Sequence, residues 1–73
     1  MKPPLISGNE VIRAFVRAGF IKTGQRGSHV KLFHYGKQIT LIIPNHKEVD
    51  RWTLKGILKD ADMSVEEFVK FLK

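Results

Sequence analysis

The spacing of apolar residues changes period twice along this chain, and that limits its possible folds more than any single residue does. Val11, Ala14, Phe15 and Ala18 fall at i, i+3, i+4 and i+7, one stripe of a helix that Ile12 and Val16 widen. Ser7-Gly8-Asn9-Glu10 has the Ser-x-x-Glu form of a capping box at its start, and Gly19 supplies the stop. Beyond Gly19 the pattern alternates and the residues become β-branched or aromatic, which predicts strands over Phe20–Thr23, Ser28–Phe33 and Gln38–Ile43. Turns around Arg26-Gly27 and Tyr35-Gly36-Lys37 join these as antiparallel hairpins. Pro44 ends the third strand because it has no N–H for a ladder. Helical spacing then returns at Leu54, Ile57, Leu58 and Ala61, with Asp50 or Thr53 as the cap. A second capping box, Ser64-Val65-Glu66-Glu67, opens a short closing helix whose Phe68 and Val69 are expected in the core.

The order is helix, three-stranded antiparallel meander, helix, short helix: an α+β chain with its helices on one face of the sheet. This is the arrangement of double-stranded-RNA-binding domains. At 73 residues the chain is expected to form a single unit, 1–73, with a compact core. It has no Cys, so neither disulfides nor a Cys-based zinc site brace it, and a reducing, cytoplasmic location is expected. Met1-Lys2-Pro3-Pro4-Leu5-Ile6 lacks the apolar run of a signal peptide, and no stretch is long enough to span a membrane. Thirteen Lys and Arg against seven Asp and Glu give a net charge of +6, a field that draws polyanions, nucleic acid first among them.

Within that frame the stretch Arg26-Gly27-Ser28-His29-Val30-Lys31 stands out. A glycine before Ser28 allows close approach of a backbone or a phosphate, and His29 is the first large side chain met there. Alternation puts Val30 and Leu32 under the helices and leaves His29 and Lys31 on the open face. An imidazole titrates near neutrality, so it takes a proton from one group and returns it to another. Lys22, Arg26 and Lys31 nearby favour an anion as the group acted upon, with Gly27 and Ser28 at the contact. Arg51, Lys55 and Lys59, four apart on the second helix, form a basic edge spaced to meet successive phosphates. A solvated face is the ordinary alternative for that edge, as a surface residue is for His29. His34 is expected on the face opposite His29, so the two do not share a metal ion, and His46 lies in the crossover loop as an outside candidate for a general acid.

Taken together, Gly8-Asn9-Glu10-Val11-Ile12, Ala18-Gly19-Phe20, Gly27-Ser28-His29, Ile43-Pro44-Asn45-His46, Thr53-Leu54-Lys55-Gly56-Ile57-Leu58 and Met63-Ser64-Val65-Glu66-Glu67-Phe68 make the chain resemble the HicA-type toxins over nearly its whole length. The resemblance implies a toxin of a type II toxin–antitoxin system: an mRNA interferase with a double-stranded-RNA-binding-like fold, inhibited by a HicB-type antitoxin. It also implies a catalytic His in the Gly-Ser-His triplet, which is His29 here. Arg51-Trp52 departs from the Pro-Gly-like pair usual in the family before Thr53-Leu54, and Tyr35-Gly36 replaces the commoner turn.

The corresponding chemistry is metal-independent cleavage of mRNA without a cofactor. RNA carries a 2′-hydroxyl beside each phosphate, and a base that removes its proton drives attack on phosphorus. The residues also leave open a non-enzymatic RNA-binding module that contacts a duplex through Arg51, Lys55 and Lys59, and an interaction protein whose basic face docks on an acidic partner.

Overall fold

The computed structural model describes residues 1–72, and Lys73, the last residue of the expected unit, lies outside the described residues. Three helices and three strands follow one another as α1 (Gly8–Arg17), β1 (Ile21–Arg26), β2 (His29–His34), β3 (Ile39–Pro44), α2 (Arg51–Asp60) and α3 (Val65–Lys70). The strands form one antiparallel sheet in the order β1-β2-β3. No helix among the described residues is long and apolar enough to cross a membrane.

Each helix begins where its cap residue dictates. Ser7 and Glu10 close the box before α1, and Ser64 and Glu67 repeat it before α3. Asp50, not Thr53, caps α2, and its carboxylate accepts from the Thr53 N–H and the Thr53 hydroxyl, each at 2.8 Å. In all three caps these hydrogen bonds hold the carboxylate, of Glu10, Asp50 or Glu67, below its ordinary pKa.

The core lies between the helices and one face of the sheet. Val30 and Leu32 of β2 and Leu41 and Ile43 of β3 are buried there against Val11, Ala14 and Phe15 of α1 and Leu54, Ile57 and Leu58 of α2. Phe15 sits at its centre, 5.3 Å from the ring centroids of both Phe20 and Phe68. Phe68 thereby fastens the six-residue α3, whose carboxyl end is also held by Arg17 donating to the Phe71 carbonyl at 2.8 Å.

Several expectations are corrected. Val16 does not widen the α1 stripe and Val69 is not core; both are exposed, because α1 and α3 each bury only one face. The first strand runs to Arg26 rather than stopping at Thr23, and Phe20 precedes it. Its second half is polar and largely exposed, and the ladder to β2, interrupted by a bulge at Thr23, holds it in place of side-chain burial. The crossover also carries structure of its own: Val49 is buried and its N–H donates to the Ile6 carbonyl at 2.7 Å. That bridge and the Arg51 Nε–H bond to the Pro3 carbonyl at 2.9 Å pin the amino-terminal arm to the start of α2.

Candidate nucleic-acid interface

The β1–β2 hairpin closes through two residues, Gly27 and Ser28, with Arg26 paired directly to His29. Gly27 has φ +59°, a conformation that a residue with a Cβ rarely adopts, at the first position of a two-residue turn where glycine is preferred. The demand on Gly27 is therefore first a backbone one. His29 follows as the first residue of β2 and is exposed.

Directly opposed residues of an antiparallel sheet share a face. His29 is opposed by Arg26 on one side and Pro44 on the other, while Lys31 is opposed by Gly24 and Ile42. Since Val30 and Leu32 between them are buried, Arg26, His29 and Lys31 all stand on the sheet face away from the helices. Lys22 does not join them. It pairs with buried Leu32, so it projects to the helix side, where its ammonium donates to Gln25 Oε1 at 2.7 Å. The bulge between Lys22 and Gly24 sets this parity, and the sequence carries no clear mark of it.

The other two histidines serve different ends. His34 lies on the helix side, its ring edge-on to Phe20 at 5.1 Å, and its Nδ1 accepts the Lys37 N–H at 3.0 Å across the β2–β3 turn. It shares no face with His29. His46 is held by its backbone: its N–H donates to the Pro44 carbonyl at 2.9 Å and its carbonyl accepts from Gly8 at 2.8 Å, leaving the side chain exposed.

Asn45 was not among the residues expected at the site, yet it ties the parts together. Its N–H donates to the Ser28 carbonyl at 2.6 Å, joining the end of β3 to the turn that presents His29. On its other side it packs against Gly8, where a Cβ would come within 2.5 Å of both the Asn45 Cα and the Pro44 carbonyl oxygen. The start of α1, the Pro44–His46 loop and the Gly27-Ser28 turn are thus one connected end of the molecule. Only the pair of breakers, Gly8 just inside a helix cap and Pro44 at a strand end, hints at this in the sequence.

The basic edge of α2 is a second surface, since α2 packs on the covered side of the sheet. Arg51 is occupied with Pro3 through Nε, whereas the Lys55 ammonium lies 6.0 Å from the centroid of the Trp52 ring. Lys59 and Trp52 are both exposed. Among the described residues no three His, Asp or Glu side chains gather as a metal-binding group.

No curated protein matches the chain. A family does: the HicA toxin of bacterial toxin–antitoxin systems matches residues 8–63, from the first residue of α1 through the turn that follows α2. That span holds the whole sheet, the Gly27-Ser28-His29 turn and its Asn45 tie, and the chain belongs to the HicA toxin family.

Proposed function

We propose that this toxin is a metal-independent endoribonuclease that cuts mRNA in the cytoplasm, with His29 as the general acid/base. The observation that carries the reading is the placement of His29: exposed at the mouth of β2, directly opposed to Arg26, with Lys31 next on the same open face. The imidazole begins the chemistry. It removes the proton of a ribose 2′-hydroxyl and later releases it to solvent, O2′ attacks the adjacent phosphorus, and the bond to the 5′-oxygen breaks on the opposite side, where that oxygen takes a proton from water or from a second group such as His46. The products are a 2′,3′-cyclic phosphate and a 5′-hydroxyl. Arg26 and Lys31 face the charge that builds on the phosphorane oxygens.

A HicB-type antitoxin is the expected partner, and its inhibition follows from the same placement. An open basic face is silenced by covering it, so the antitoxin buries His29 and offers carboxylates to Arg26 and Lys31.

The test is cleavage of a long mRNA by purified protein in chelator, alongside growth arrest on expression. His29→Ala abolishes both and leaves the fold intact, because the side chain is exposed and its removal makes no core cavity. RNA binding survives, since the cations that hold phosphate are other residues. His46→Ala has a smaller effect, and His34→Ala acts on stability through lost contact with Phe20 rather than on the rate per folded molecule. Folded His29→Ala protein that cuts as fast as the wild type refutes the assignment. Wild-type protein that binds RNA without cutting it leaves the non-enzymatic binding module in its place.

A further inference from the structure

Trp52 is the most exposed large apolar side chain of the molecule, at 82 %. It stands at the start of α2, and with Gly56, Met63 and Val65 it lines an open groove between that helix and the turn into α3. Lys55 and Lys59 edge the groove, and among the described residues no carboxylate lines it. Gly56 is the second unusual residue there. Glycine weakens a helix interior, and here nothing in the fold requires it, for a Cβ at Gly56 meets no atom within 4 Å. The groove floor is open beside an aromatic ring and two cations.

Flat π-faces next to cations suit unpaired nucleobases, which stack while their phosphates pair with lysine. Lys55 and Lys59 lie one helical turn apart, about 6 Å along the axis, on the scale that separates neighbouring phosphates. A protein anchor fits less well: interface anchors sit in enclosed, desolvated pockets, and lysine is depleted from interface centres. In the chain, the crossover joins Pro44, opposed to His29, to Asp50, the cap of α2, and Trp52 follows in the first turn of that helix.

We propose that Trp52 is a stacking platform for one unpaired base of the RNA, with Lys55 and Lys59 on the flanking phosphates. The proposal rests on the reading of RNA as substrate and adds a binding subsite to it.

Trp52 is the only tryptophan of the chain, so fluorescence excited at the red edge of the absorption band, where Tyr35 does not absorb, reports on this position alone. The probe is a single-stranded 2′-O-methyl oligonucleotide, which lacks the attacking hydroxyl and stays uncut. Stacking quenches the fluorescence, whereas an abasic strand of equal length binds without quenching. By competition with a labelled strand, Trp52→Ala weakens binding about tenfold and Trp52→Phe retains most of it. Oligonucleotide binding without quenching, or unchanged affinity of Trp52→Ala, overturns the proposal. So does an acidic peptide that perturbs the fluorescence at lower concentration than the oligonucleotide, which assigns the groove to a protein. Cleavage of unmodified RNA is measured separately: quenching without cleavage supports the platform and refutes the nuclease, and cleavage without quenching does the reverse.

Discussion

Parity along a strand decides what each histidine of the sheet is for. His29 and His34 are five positions apart on β2, so one faces solvent beside Arg26 and the other faces Phe20. Gly8 also bears on the site, although it carries no functional group. Its missing Cβ is what admits the Pro44–Asn45 backbone, and that backbone holds the Ser28 carbonyl. In Gly8→Ala the added carbon meets main-chain atoms at 2.5 Å, which do not swing aside as a side-chain end does. Gly8→Ala is expected to cost about 1–3 kcal/mol of stability, the usual range for overpacking, and to slow RNA cleavage by the molecules that remain folded. Thermal unfolding and cleavage rates at equal folded concentration check both parts. Wild-type values for each would show that the loop does not position His29.

The helices depend on three carboxylates at their starts. Glu10, Asp50 and Glu67 have their pKa lowered first by backbone hydrogen bonds, from Ser7, Thr53 and Ser64 respectively, against ordinary values of 4.5, 3.8 and 4.5. Because each folded value lies below the unfolded one, the unfolded chain takes up these protons first. The stability they confer is therefore fully present above the ordinary carboxylate range and is lost as pH falls through that range to the folded values. Urea midpoints are expected to be level near neutrality and to drop as pH falls below about 5. In a Glu10→Gln, Glu67→Gln double variant that acid limb becomes shallower. An identical limb in the double variant would place the acid sensitivity elsewhere.

Over the whole molecule, four of the thirteen Lys and Arg residues mark two surfaces, Arg26 and Lys31 on the open sheet face and Lys55 and Lys59 along α2, on a body carrying +6. If RNA crosses both, about four phosphates are neutralised. For a single strand the slope of log affinity against log salt is then about −3, at roughly −0.7 for each phosphate. Fluorescence titrations over a range of salt concentrations measure it. A slope near zero would exclude an electrostatic mode, and halving of the slope in a Lys55→Ala, Lys59→Ala variant would assign half of the contacts to α2.

Local chemistry was enough to place most of the elements. Ser7, Asp50 and Ser64 mark helix starts because each supplies its own hydrogen bond, and Val30, Leu32, Leu41 and Ile43 declare a buried sheet face by alternation alone. The exposure of His29 follows from the same alternation. What the sequence could not show depends on contacts between distant segments. The bulge at Thr23 turns Lys22 away from His29, although spacing alone would set them together. The polar end of β1 is held by main-chain bonds to β2, which leave no hydrophobic trace. Asn45 meets Ser28, Gly8 meets Asn45, and Val49 meets Ile6 only once the sheet has brought both ends of the crossover beside α1. Hydrogen bonds and side-chain alternation act over a few residues and can be read from the order of the chain, but register and close backbone approach are properties of the packed molecule.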